Sequence, residues 1–332
     1  MQKSEFDRLD RYALYTVIIV SLIHLYCFPY FQKFMIPADL YAHFPAVIHP
    51  FMEFYPKPRE NIDELTRGIQ HSGPTYSLPT SGQLFCFVET SEEYYNTRVP
   101  SVASTWLPRC DNGRFFSKTP LPNPRVAFST VYRNLEDTYY DLFRKTLLSF
   151  YYAYTHISSE FDWYLKADDD NYMVIDHLRE YLNQLDPSKP LYLGYRMKPF
   201  LENGYNSGGA GYILSNAAVK KFVENLYYDE QACPYDWAED RGLGRCLAAM
   251  GILPEDTRDS EGLNRFNAFP PKEIPNVHPS YHYYPLKNGS SSISKKFVSL
   301  HRISPENMII LDSLLYPGSG LRSFDMEILK RF

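Results

Sequence analysis

No Cys-x-x-Cys pair occurs in this chain of 332 residues, and no block of lysine and arginine exceeds a few residues. The first absence removes the ligand spacing of a structural zinc site. The second, with a net charge of −5, removes the electrostatic footprint of a nucleic-acid-binding protein. There is no internal repeat. A different absence is local: from Tyr12 to Gln32 there is no Lys, Arg, Asp or Glu, and most residues are apolar. A bilayer requires about 20 such residues. No small-residue cleavage site follows, so the segment reads as an uncleaved signal anchor rather than a removed signal peptide. Lys3, Arg8 and Arg11 before it, against Lys33 after it, weakly favour a cytosolic 1–11. The alternative is a buried or interfacial N-terminal helix.

Hydrophobic residues make up 44% and charged residues 22%, the proportions of a globular protein. Tyrosine (29) and phenylalanine (22) are abundant; tyrosine suits sugar rings but also fills cores, so composition does not choose. Residues 33–80 carry Pro37, Pro45, Pro50, Pro56, Pro58, Pro74 and Pro79, a density that favours an extended spacer over helix. The globular part is expected from near Gly82. Leu84–Glu89, Arg125–Val131, the run Trp163 to Leu165, and Leu191–Tyr195 read as strands. Ser91–Trp106, Asp137–His156 (Leu142, Leu147, Phe150 and Tyr154 at helical spacing), Val174–Leu185 and Asn216–Leu226 read as helices. Strands alternating with helices predict an α/β sheet covered on both faces, with ligands outside the carboxyl ends of its strands.

Cys27 lies in the apolar segment; Cys86, Cys110, Cys233 and Cys246 form an even set beyond it, as an oxidising compartment leads one to expect. Of three connectivities, local pairing (Cys86–Cys110 and Cys233–Cys246) is the expectation. Asn288-Gly-Ser290 is a glycosylation sequon, and Gly318–Gly320 points to a loose tail over 316–332.

The chemistry centres on Asp168, Asp169 and Asp170 at the end of the Trp163 strand. Adjacent carboxylates repel by about 1 kcal/mol per pair even in water, and a cation offsets this. On extended backbone Asp168 and Asp170 point to one side, as a pair of hard oxygen ligands suited to Mg²⁺ or Mn²⁺, which in turn hold a diphosphate. The plainer alternative is a solvated acidic turn before a helix. Three further features join it. Gly208, Gly209 and Gly211 within 204–212 let backbone pass close to a ligand, or simply make a turn. Glu239 and Asp240 open a helix, where acids are favoured anyway, or supply a general base. His301 ends an alternating apolar run as a structural histidine or a third metal ligand.

Taken together, Leu84-Phe-Cys-Phe-Val-Glu-Thr90, Thr105-Trp106 with Arg109-Cys110, Trp163 to Asp170, Lys198-Pro with Gly204-Tyr-Asn-Ser-Gly-Gly-Ala-Gly-Tyr212, Glu239-Asp240 with Gly244-Arg-Cys246, Asp259-Ser with Phe266, and His301 resemble the core 1 β1,3-galactosyltransferases of the fringe-like glycosyltransferase family 31. The resemblance runs from about Leu84 to Leu311. It implies a type II membrane protein of the Golgi or endoplasmic reticulum: tail 1–11, anchor 12–32, stem 33–80, GT-A catalytic domain 81–315, tail 316–332, with a homodimer possible in principle. It implies transfer of galactose from UDP-galactose to the 3-hydroxyl of GalNAc on Ser or Thr of a glycoprotein, with inversion. Mn²⁺ would be held by Asp168, Asp170 and His301, with Asp240 as the base. Glu89, Thr90, Arg109, Lys166 and Asp169 fall where the donor is handled, and Gly208 and Gly209 beside its sugar; Tyr205 and Glu239 complete the substrate site. Two departures are visible. Ser292 and Ile293 stand where vertebrate members carry a cysteine pair, and 277–285 lacks the family's acceptor-stacking tryptophan, leaving Tyr281 or Tyr283 to replace it. The alternatives are another fringe-like β1,3-transferase with a different sugar or acceptor, and an inactive chaperone-like paralogue.

Overall fold

A computed structural model describes residues 61–332 except 288, 319 and 323–325. The expected anchor, the tail before it and Asn288 lie outside the described residues; among those described, no helix is long and apolar enough to cross a membrane.

The strands are β1 (Ser81–Glu89), β2 (Asn112–Phe116), β3 (Phe128–Ser129), β4 (Glu160–Asp168), β5 (Tyr172–Met173), β6 (Tyr192–Gly194), β7 (Arg196–Met197), β8 (Tyr205–Asn206), β9 (Tyr212–Ser215) and β10 (Ser299–Leu300). The main helices are α1 (Arg98–Ser104), α2 (Leu142–Tyr152), α3 (Ile175–Leu182), α4 (Asn216–Lys221), α5 (Glu239–Ala249) and α6 (Pro305–Leu315). Six strands form one mixed sheet in the order β3-β2-β1-β4-β9-β6. The pairs among β1, β2, β3 and β4 are parallel, and β9 is antiparallel to both β4 and β6.

β1 and β4 read as continuous apolar runs because both of their faces are covered. Leu84, Cys86, Val88, Trp163, Leu165 and Ala167 enter one core, closed by α1, α3 and α6 through Val102, Leu178 and Leu311. Phe85, Phe87 and Tyr164 enter the other, closed by α2, α4 and α5 through Leu147, Val219 and Leu243. In the parallel register Glu89 stands opposite Asp168 and Phe87 opposite Lys166, while Tyr212 of β9 faces Lys166 from the other side. The polar ends of β1 and β4 are thereby brought together at the carboxyl edge of the sheet.

Several expected boundaries shift. Two strands of the six-stranded sheet were not anticipated: β2, where Gly113 and Arg114 interrupt the apolar pattern, and β9, hidden behind the glycines. Both are defined by pairing with a central strand. The expected helix 91–106 shortens to α1, with a 3-10 turn on either side (Glu92–Tyr94 and Leu107–Arg109). The helix expected over 137–156 is α2, continued as a wider turn over Ala153–Ile157.

The cysteines pair locally, Cys86 with Cys110 and Cys233 with Cys246. The first joins β1 to the loop before β2, and the second ties the segment before α5 to that helix. Closing the shorter loop stabilises by about 3 kcal/mol in the chain-entropy picture.

Both ends of the expected catalytic domain pack further than the sequence indicated. Ile62 and Leu65, within the expected stem, are buried, and the Asn134 amide donates to the carbonyls of Glu64, Leu65 and Arg67. At the other end Leu329 is fully buried and Phe332 nearly so, in the α1/α3/α6 core. The glycines of 316–332 therefore mark a bend rather than a loose tail. Deleting 326–332 is expected to lower the melting temperature, and Leu329→Ala to cost about 2–5 kcal/mol by urea unfolding; a tail that contributed nothing would leave both values at wild type.

Candidate metal and catalytic site

β4 ends at Asp168, and Asp169 and Asp170 form a turn rather than continuing extended. Asn171 builds that turn. Its side-chain oxygen accepts from the Asp168 N–H (2.8 Å) and its own N–H donates to the Asp168 carbonyl (3.1 Å). Its amide NH₂ donates to the Gly209 carbonyl, and its carbonyl accepts from the Trp106 indole (2.8 Å). The turn sends the three carboxylates to different partners. Asp169 is buried against the Thr90 hydroxyl (2.7 Å) and Arg98 (2.9 Å), and burial pushes its pKa up to about 6. Asp170 gives one oxygen to Arg98 (3.3 Å) and turns the other toward His301 Nε2 (3.6 Å). Asp168 takes the Lys166 ammonium at 2.5 Å.

Asp168, Asp170 and His301 each offer one ligand atom, all within 4.8 Å of one another. The donor set fits a divalent cation on two observations. The Asp170 oxygen facing His301 is buried without a hydrogen-bond partner, an expensive state unless something fills it. His301 Nδ1 lies 2.8 Å from the Ala268 carbonyl, which only accepts; the proton therefore sits on Nδ1, and Nε2 presents a lone pair to the site.

Behind this trio is a buried row of charge. Lys166 is 2% exposed, with Glu89 and Glu239 each 3.7 Å from its ammonium. Burial alone would neutralise Lys166, but Asp168, Glu239 and Glu89 outweigh it and keep the ammonium charged. Glu89 accepts from the Tyr132 (3.1 Å) and Thr146 (2.9 Å) hydroxyls, and burial raises its pKa. Glu239 accepts from the Tyr212 hydroxyl; burial pushes its pKa up to about 8, with Lys166 pulling the other way.

Asp240, half-buried at the start of α5, accepts from the backbone N–H of Gly208 (3.1 Å) and of Arg241 (2.8 Å). Burial raises its pKa, and these two N–H groups limit the rise. The glycine loop spans the two halves of the site. A β-carbon on Gly208 would lie 2.4 Å from a Glu239 oxygen, and one on Gly209 would lie 2.1 Å from His301 Cε1. No larger residue permits either approach.

The fold thus collects Glu89, Thr90, Lys166, Asp168, Asp169, Asp170, Gly208, Gly209, Glu239, Asp240 and His301. Tyr205 is buried close enough to Asp240 for that charge to raise its pKa, after burial itself. Tyr281 is half-buried against the core. Tyr283 has the Arg196 guanidinium 3.6 Å from its ring centre, so one face is covered. Arg109 is committed elsewhere, in a two-pronged pair with Asp312 (2.7 and 3.0 Å) and stacked on Tyr316 (3.8 Å). The guanidinium that meets the aspartate turn is Arg98. Sequence reading missed Arg98, Asn171 and Tyr132. Asn171 had a signal in its position directly after the aspartates; Arg98 and Tyr132 reach the site only through packing.

A mixed α/β sheet with a cation-ready carboxylate–histidine trio at the carboxyl ends of its parallel strands defines the class of the protein. The chain belongs to the Fringe-like family, whose model matches residues 80–299. Glycoprotein-N-acetylgalactosamine 3-beta-galactosyltransferase 1 of Xenopus laevis is 32% identical over 245 residues, covering 70% of this chain and 66% of that protein. Chondroitin sulfate synthase 3 of Mus musculus is 32% identical over 212 residues (55% of this chain, 23% of that one). Beta-1,3-glucosyltransferase of Mus musculus is 26% identical over 201 residues (58% and 39%). The chain spans just under two thirds of the first relative and less of the others. A solved glycosyltransferase involved in glycosylating the major capsid of PBCV-1 aligns at a TM-score of 0.29 and 11% identity over 46% of this chain and 68% of that one, too slight a likeness to argue from.

Gly209→Ala is expected to displace His301 and weaken divalent-cation binding, read by calorimetry, at least tenfold while far-ultraviolet circular dichroism stays at wild type. Unchanged affinity would remove His301 from the candidate ligand set.

Proposed function

We propose that this protein is an inverting β1,3-galactosyltransferase of GT-A architecture, moving galactose from UDP-galactose to the 3-hydroxyl of N-acetylgalactosamine on serine or threonine of a glycoprotein. The observation that carries the reading is the juxtaposition of the Asp168–Asp170–His301 trio with Asp240 across the Gly208–Gly209 loop. Its specificity for sugar and acceptor is supported by the 32% identity to a GalNAc 3-beta-galactosyltransferase. The two disulfides support an oxidising lumen, behind the signal anchor assigned to 12–32, in the Golgi or endoplasmic reticulum.

The residues divide the work by charge. Asp168, Asp170 and His301 would hold Mn²⁺, which when bound neutralises the diphosphate leaving group. Asp240 takes the proton from the attacking hydroxyl. Its two backbone donors fix the carboxylate, and its raised pKa strengthens it as a base. Inversion needs only attack from the face opposite the leaving group, so one base suffices and no covalent intermediate forms. Lys166 stays protonated and holds Asp168, Glu89 and Glu239 in place. Thr90 and Arg98 restrain Asp169.

The test is transfer by the full-length protein in detergent with UDP-galactose, a GalNAc-peptide and Mn²⁺, against an EDTA control. Metal-dependent formation of a β1,3-linked disaccharide is expected. Asp240→Asn should lower kcat by about 10²–10⁴-fold with donor binding retained. Metal-dependent UDP binding without transfer would keep the site and turn the search to other sugars, a reading favoured by the likeness to a β-1,3-glucosyltransferase. Asp240 must be deprotonated to act and its pKa is raised. The wild-type rate should therefore climb with pH through that raised value and level off above it; a rate that falls over the same range would exclude Asp240 as the base.

A further inference from the structure

Phe200 is held in the left-handed backbone region, with φ 71°, and its ring is 50% exposed. Phenylalanine is strained there, and such strain persists only where the surroundings impose it. The imposing elements are visible: Lys198 N–H donates to the Tyr281 carbonyl (3.1 Å), Leu201 N–H to the Pro199 carbonyl (2.9 Å), and Gly204 N–H to the Leu201 carbonyl (2.9 Å). The outcome is a large apolar ring presented to solvent. That ring lies 5.2 Å from the guanidinium carbon of Arg241, and the half-buried Trp237 ring lies at the same distance from the same atom. Arg241 cannot swing away, because Asp236 holds it through two bonds (3.0 and 2.6 Å). It is also the residue after Asp240 and donates its N–H to that carboxylate. Two aromatic rings thus converge on a fixed side chain beside the base. Tyr139, 63% exposed, has its pKa pushed up to about 12 by burial and then by the nearby Asp240 charge.

A hydroxyl that gives its proton to Asp240 must touch that carboxylate. Phe200 and Trp237 are joined to Asp240 through the Arg241 side chain, a placement suited to meeting what the reacting sugar is attached to. We propose that Phe200 and Trp237 form a subsite for the polypeptide that carries the acceptor sugar, taking its proline and aliphatic C–H faces against their rings. This rests on the transferase reading above. It adds a peptide-recognition element beside Tyr281, which is half-buried against the core, and Tyr283, which Arg196 caps on one face.

The test compares two acceptors on the full-length protein: a GalNAc-peptide and methyl α-GalNAc, which has no peptide. Phe200→Ala and Trp237→Ala should each raise KM for the GalNAc-peptide about 3–10-fold and leave KM for the methyl glycoside unchanged. Phe200→Tyr should retain wild-type behaviour. Phe200→Gly, which relieves the backbone strain, should raise KM for the peptide acceptor while keeping or raising the melting temperature, separating recognition from folding. An unchanged KM ratio between the two acceptors, or equal losses on both, overturns the subsite alone. Absence of transfer by the wild type to either acceptor overturns the underlying reading, and the subsite with it.

Discussion

The Lys166 ammonium is the cation on which the polar end of the sheet depends. It is 2% exposed on a central strand and lies within 3.7 Å of Glu89, Asp168 and Glu239. Three carboxylates converging at the carboxyl edge of β1 and β4 would repel one another in a medium where water screens poorly. Lys166 offsets part of that repulsion, and the hydroxyls of Tyr132, Thr146 and Tyr212 take up carboxylate oxygens that it does not reach. What remains is an excess of negative charge. The structure disposes of it in two ways: burial raises the pKa values of Glu89 and Glu239, and Asp168 is left at the surface of the cluster, 34% exposed, where a divalent cation would meet it.

A second constraint is closeness of approach. The glycine loop passes His301 on one side and the Glu239–Asp240 pair on the other, with no room for a β-carbon at Gly208 or Gly209. Asn171 couples this loop to the aspartate turn by holding the Gly209 carbonyl and the Asp168 backbone at once. Asp168, Asp170, His301 and Asp240 therefore belong to one unit, although they come from three separate stretches of chain. Trp106, itself fully buried, fixes Asn171 in turn. A core position is thus tied to the geometry of the aspartate turn.

Much of the site was legible because it is chemically costly. A triple aspartate, a cluster of glycines and a Glu-Asp pair are hard to explain as packing, so they stand out in a linear chain. The central strands were legible for the opposite reason: doubly covered strands read as unbroken apolar runs. β2 and β9 were not, because Gly113, Arg114 and the glycines before Tyr212 carry no apolar signature, and pairing with β1 and β4 decides them. The burial of Leu329 and Phe332 was likewise invisible, since a core contact made by the last residues depends on where the chain has returned.

The sequence alone determined the residue chemistry: hard carboxylate oxygens, a histidine, an adjacent Glu-Asp pair, backbone able to pass close, and cysteines in an even set. These are properties of side chains and need no partner to be read. Tertiary structure decided which of them meet. The turn at Asp169 separated three adjacent carboxylates, sending one to Thr90 and Arg98 and another to His301. Packing of α6 drew Arg109 to Asp312 and left the aspartate turn to Arg98. The reason is physical: repulsion, burial and hydrogen bonding are set by distances between groups far apart in the chain, and those distances exist only once the sheet and its two cores have formed.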